Sequence, residues 1–406
     1  MKNLRLIIPV IAMLFCVRAN GQELMNYQQP KDYEMPKKLI PTARKYWVSL
    51  PKEYDETTNR YPILFVFDGD EAFMRNLVLT TVDELTHFSE MPPCIIVGII
   101  QRNRSLDFGP LYAVKNNPSA DKVNGDKFFD FLKTELTPEL NKSYRTQNFK
   151  LGIGHSLGGL FLSYCFTKDP TFFNGIIAVS PALELKRDSS LFLDLKKALS
   201  GKLENHIYYC WASGTEGVNE VAFKPGSLAL HKLFDSTPNP SFTYNYLDLP
   251  GKNHNVTPLF SMANALYFVF NDWNIATWYK PLFYDKSIDP ISYYKERVKK
   301  NKQLYGMDAD PTEDRIQDNM GQMLTQYKRY QEALPYAERA VQMSPAHAGY
   351  LEDLGDVQEK LKRYNDALKS YKLALEKLDK NAEDYKERAE NYQKDVKRVQ
   401  DLLSKP

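Results

Sequence analysis

Cysteine is scarce in this chain, with four in 406 residues. Cys16 lies in an N-terminal apolar run; Cys94, Cys165 and Cys210 each sit inside an apolar strand or helix pattern, and no two stand at metal-ligand spacing. A zinc site or a disulfide framework is thereby excluded, and the three read as buried thiols, with one bridge permitted if the chain is exported. An excess of charge is also lacking. The sequence carries 53 basic and 51 acidic residues, and loss of Lys2, Arg5 and Arg18 with the N-terminal segment would leave 50 against 51. Nucleic acid and anionic membrane, which need a concentrated basic surface, are poor candidates for the main partner. After the first 21 residues no apolar run approaches the roughly 18 residues of a transmembrane helix. With 43% hydrophobic and 26% charged residues the chain has material for one large core and a smaller domain, which excludes disorder.

Residues 1–21 read as a secretory signal. Lys2 and Arg5 form its charged end, residues 6–17 its apolar run, and Ala19-Asn20-Gly21 a small-residue cleavage site before Gln22. The expected product is periplasmic or extracellular. A lipid anchor at Cys16 is the weaker reading, because Phe15 rather than a small residue precedes it.

Short apolar runs then alternate with longer amphipathic stretches. The runs are 45–50, 61–67, 94–100, 149–153, 175–180, 206–212 and 242–249, and several are continuously apolar, as in a strand buried on both faces. Helices are expected at 72–88, 127–142, 157–167, 189–200, 225–234 and 256–273. This grammar predicts an α/β fold, a mostly parallel sheet with helices on both faces, over 22–280.

A linker with a helix near 291–304 would occupy 281–311, and 312–406 shows no strand signal. There Gly321, Ala333, Ala340 and Pro345 sit at offsets 0, 12, 19 and 24, and Gly355, Ala367 and Ala374 reproduce the first three offsets 34 residues later. This spacing resembles the tetratricopeptide repeat, in which small residues let paired helices approach closely. Such an all-α domain would offer a surface to a protein partner, and Ala389 falls at the next glycine position, in a charged capping helix.

The chemistry centres on Gly154-His155-Ser156-Leu157-Gly158, between an apolar strand and a helix. That is the context of a nucleophile elbow: flanking glycines relieve a strained turn, Ser156 is raised above the sheet, and the helix start stabilises developing negative charge. The near match Gly152-x-Gly154-x-x-Leu157 is not a dinucleotide loop, because leucine replaces the third glycine and the strand is fourth in order. A serine needs a base. Of six histidines only His254 lies in a polar loop after the last strand, and in this fold the order along the chain is Ser, acid, His. The acid is expected in the loop after the preceding strand: Glu216 first, with Glu220 and Asp248 as alternatives. Two backbone N–H groups would form the oxyanion hole, from Leu157 and from either Gly69 or Asp70.

Taken together, the run from Tyr61 through Asp68-Gly69-Asp70, the loop Arg102-Asn103-Arg104-Ser105-Leu106-Asp107, the elbow, and Gly251-Lys252-Asn253-His254 resemble an esterase family. It includes esterase D-like enzymes, trilactone siderophore esterases and some feruloyl and acetyl xylan esterases. The likeness spans about Tyr27 to Asn274 and puts Ser156, Glu216 and His254 at the family's triad positions. It implies an α/β-hydrolase fold and two-step acyl transfer on a siderophore lactone, a carbohydrate-linked ester or another small ester, with no metal or organic cofactor. Arg102 and Arg104 would be basic residues at the mouth, unless they merely pair with Asp107. An acyltransferase using the same triad, or a non-catalytic binding or scaffold protein, are the rival readings.

Overall fold

The computed structural model describes residues 24–36, 44–101, 103–110, 124–273, 280–282, 284, 285, 287–306, 314–382 and 384–404. Residues 1–21, read from the sequence as a secretory signal, and Arg102 lie outside these residues.

All seven expected runs form strands, and an eighth precedes them. The strands are β1 Lys31–Met35, β2 Arg44–Ser49, β3 Tyr61–Val66, β4 Ile95–Ile99, β5 Thr146–His155, β6 Gly175–Val179, β7 Ile207–Ser213 and β8 Phe242–Asp248. They make one sheet in the order β1-β2-β4-β3-β5-β6-β7-β8. The first two are antiparallel to their neighbours and the other six run parallel. Strand β1 is exposed except at Met35, so it carries no apolar run by which to read it.

Successive residues of β3 feed opposite cores. Ile63 and Phe65 pack with Leu160, Phe161 and Ile176 on one face, while Leu64 and Val66 pack with Val78, Leu266 and Val269 on the other. Burial on both faces is why this strand reads as an unbroken apolar run. Helices α1 Ala72–His87, α2 Arg104–Phe108, α3 Gly125–Phe131, α4 Thr137–Ser143, α5 Leu157–Lys168, α6 Ser189–Ser200, α7 Gly217–Ser236 and α8 Thr257–Phe270 cover the sheet. One boundary matters for the site: α7 begins at Gly217 and runs through Pro225, where the sequence suggested a start. Proline is common in the first turn of a helix, which made Pro225 look like an N-terminus.

The C-terminal region is helical: α9 Pro290–Tyr305, α10 Asp314–Gln326, α11 Tyr330–Met343, α12 Ala348–Lys360, α13 Tyr364–Lys377 and α14 Tyr385–Leu403. The pair α12/α13 begins 34 residues after the pair α10/α11 at both helices, matching the spacing of the small residues. A methyl group on Gly355 would lie 2.6 Å from the Tyr371 ring, so close approach is required there. These helices are tied to the sheet domain. Tyr305 donates to the Val269 carbonyl at 2.9 Å, Asn59 donates to Asp314 at 3.1 Å, and the Thr58 N–H donates to the Met343 carbonyl at 3.0 Å. No helix among the described residues is long and apolar enough to cross a membrane.

Inside this region Gln322 donates to both Asp318 and Asp353, at 2.7 and 3.1 Å. Burial, and then the neighbouring Asp353 carboxylate, push Asp318 up to about 8. The native state therefore keeps a proton that the unfolded chain loses near pH 4, so stability contributed by this group is lost as pH rises from about 4 through about 8. Asp318→Asn should flatten that slope and raise the unfolding midpoint at pH 8.5 relative to the parent. An unchanged slope in thermal melts from pH 5 to 9 would count against it.

Candidate active site

Ser156 stands between the end of β5 and the start of α5 with φ 57° and ψ −116°, a strained conformation for a residue with a side chain. Its N–H donates to the Val179 carbonyl at 2.9 Å, and its own carbonyl accepts from Leu160 at 3.1 Å and from Ala182 at 3.0 Å. The turn is tight enough that a methyl on Gly154 would lie 2.6 Å from the Gly158 backbone. Three backbone hydrogen bonds thus fix the shape of this sharp turn from strand to helix.

The loop after β8 carries His254, which is nearly buried. Its neighbour His155 points Nε2 at the His254 carbonyl at 3.1 Å, and the two rings lie 4.4 Å apart between centroids. Burial, with the adjacent His254, lowers the His155 pKa to about 4. His155 is thus neutral near pH 7, and as the donor to a carbonyl its Nε2 carries the proton. Phe223 packs on the His254 ring at 5.6 Å.

The carboxylate beside the imidazole is Glu220, the alternative, and not Glu216. Glu220 Oε1 lies 3.3 Å from His254 Nδ1, and Oε2 accepts the Gly214 N–H at 2.8 Å. Burial alone would raise the Glu220 carboxyl, but hydrogen bonds from His254, Ser180 and Gly214 outweigh it and hold the group below the ordinary glutamate value. Glu216 caps the start of α7 with its carboxylate exposed and accepting from Thr215 at 3.0 Å. Its backbone N–H, with that of Thr215, anchors the His254 loop through the Lys252 carbonyl. The correction follows from the start of α7: with the helix already running at Gly217, residue 220 lies one turn in and faces the sheet, while Val218 and Val221 face solvent. Asp248 instead contacts Lys224.

Ser180, which the sequence did not single out, completes the cluster. It is fully buried, its Oγ lies 2.7 Å from His254 Nδ1, and it also contacts Glu220 Oε1. Nothing in the strand pattern distinguishes it.

The N–H of Gly69 is already spent on the Ile99 carbonyl at 2.8 Å, so it is not a donor for an oxyanion. Asp70 and Leu157 have no hydrogen-bond acceptor for their N–H groups among the described residues. Arg104 is committed as well: it donates to Asp68 at 2.6 and 3.0 Å and to the His155 carbonyl at 2.9 Å. It braces the elbow, and Asp107 pairs with Arg44 instead. Cys94, Cys165 and Cys210 are all buried. Among the described residues no group of three or more His, Cys, Asp or Glu is placed to hold a metal.

A family model described as "Putative esterase" matches residues 38–240. A curated relative, the ferri-bacillibactin esterase of Bacillus subtilis (strain 168), is 25% identical over 176 residues, covering 36% of this chain and 61% of that protein. An uncharacterized protein of the same organism is 23% identical over 150 residues, 34% of this chain and 56% of its own length. The chain thus spans less than two thirds of the curated relatives it matches. Among solved structures, an IroE-like serine hydrolase from Shewanella oneidensis superposes with a TM-score of 0.62 at 18% identity, over 83% of this chain and all of that one. That likeness bears on the fold, and its extent takes in part of the C-terminal helices.

Proposed function

The chain belongs to the esterase family whose model it matches, and on that premise we propose that it hydrolyses carboxylic esters by two-step acyl transfer, with Ser156 the nucleophile, His254 the base and Glu220 the acid that orients it. The observation that carries this reading is the buried Glu220 on His254 Nδ1, joined to a strained Ser156 through the His155 contact. With Nδ1 protonated, Nε2 of His254 is free to take the Ser156 proton as Oγ attacks the ester carbonyl. Negative charge on the carbonyl oxygen is met by the N–H groups of Leu157 and Asp70. The imidazolium then protonates the leaving alcohol, and the same base activates water to release the acid.

Rapid quenching during turnover of p-nitrophenyl acetate should show a mass increase of one acetyl group on the peptide containing Ser156. Turnover with the label on another residue would reject the assignment. For the natural substrate, the likeness to a ferri-bacillibactin esterase supports a siderophore lactone, ahead of feruloylated or acetylated sugars. A substrate panel ranks them by kcat/KM. Export with cleavage near Gly21 is part of the same reading, and N-terminal sequencing of the protein from a secreting host checks it.

A further inference from the structure

Two groups, Ser180 and Glu220, meet at His254 Nδ1, and the proton inventory of the three is restrictive. A carboxylate has no proton to give, so the close contact between Ser180 Oγ and Glu220 Oε1 requires the serine hydrogen. The serine oxygen, 2.7 Å from Nδ1, is then left to accept from the imidazole. The direct distance from His254 to Glu220 is longer, 3.3 Å.

We propose that Ser180 is a positioning residue of this site, its hydroxyl accepting from His254 Nδ1–H and donating to Glu220, so that the imidazole tautomer is held through the serine and not by the carboxylate alone. This rests on the ester-hydrolase reading. The backbone supports it independently. Ser180 has φ 42°, in the left-handed region, and its N–H donates to the Ala212 carbonyl at 2.8 Å. The residues on either side hold the nucleophile: Val179 accepts from the Ser156 N–H, and the Ala182 N–H donates to the Ser156 carbonyl. One turn after β6 therefore sets Ser156 by its backbone and His254 by its side chain, which fixes their spacing.

The charged and titratable groups around His254 are Glu220 on α7, His155 on β5 with Arg104 behind it, and Lys252 in the same loop. Loss of the Ser180 hydroxyl removes an acceptor that favours the imidazolium, so the acid limb of the kcat/KM profile should move to lower pH. The test compares Ser180→Ala, Ser180→Cys, Glu220→Gln, the Ser180→Ala/Glu220→Gln double variant and Ser156→Ala on p-nitrophenyl acetate from pH 5 to 9. Expected for Ser180→Ala is a fall in kcat of roughly 10- to 100-fold, the worth of one charge-assisted hydrogen bond, with KM within about twofold. Ser180→Cys fills the same space with a weak hydrogen-bonding group and should stay impaired. The double variant should be no worse than Glu220→Gln alone, because both act through the same hydroxyl on His254 Nδ1. The proposal is overturned if Ser180→Ala keeps the parent kcat and acid limb while Ser156→Ala is inactive, or if Ser180→Cys restores both, which would make the role one of packing. Should Ser180→Ala fail to fold, Ser180→Cys decides by the same readouts. Retained turnover in Ser156→Ala would bring down the ester-hydrolase reading instead.

Discussion

Turnover of p-nitrophenyl acetate should fall by roughly 10⁴- to 10⁶-fold when Ser156 is replaced by alanine. The size follows from the loss of the covalent route: what remains is the oxyanion donors and substrate binding, acting on water. The fold should be indifferent to the change. Residue 156 keeps its φ of 57° whether it bears a hydroxyl or a methyl, and the hydrogen bonds that shape the elbow are made by its backbone. Thermal melts within about 2 °C of the parent would separate a lost nucleophile from a lost structure, since a shift of that size is only about 1–2 kcal/mol at this chain length, well short of unfolding. Substantial turnover in a folded Ser156→Ala protein is the result that would end the assignment.

Replacing Glu220 by glutamine should cost roughly 10³- to 10⁴-fold in kcat, while Glu216→Gln should stay within about twofold of the parent. The contrast is the most direct test of which carboxylate belongs to the site. Glutamine keeps the shape of Glu220 but can present an N–H₂ to Ser180. That oxygen would then accept from the amide and turn its own hydrogen toward His254 Nδ1, stabilising the tautomer that protonates Nε2 and blocks the base. Glu216 has no such consequence, because its carboxylate is exposed at the cap of α7 and only its backbone reaches the His254 loop. Equal losses in the two variants, or a larger loss in Glu216→Gln, would return the acid to residue 216.

These expectations divide along a physical line. The sequence by itself determined the strand and helix succession, because burial on both faces leaves unbroken apolar runs such as 61–67 and 94–100 and amphipathic stretches between them. It singled out Ser156 as well, since an elbow needs small residues at fixed local spacing, and it isolated His254 as the one histidine in the loop after the last strand. The 34-residue spacing of Gly321 and Gly355 reappeared as two helix pairs in register. All of these are local patterns, written within a few turns of chain.

Only the tertiary structure decided which groups meet. Glu220 and His254 are 34 residues apart, and Ser180 and His254 are 74 apart. Choosing between Glu216 and Glu220 depended on where α7 begins, because a start at Pro225 leaves both residues in a loop, whereas the start at Gly217 puts residue 220 on the buried face of the first turn. Gly69 and Arg104 were plausible on position, yet each had its hydrogen bonds taken by partners from other elements, Ile99 for one and Asp68 and His155 for the other. Ser180 carried no mark at all. A buried hydroxyl acquires its role from the two side chains that close over it, and those arrive from a helix and a loop that packing alone brings to the end of β6.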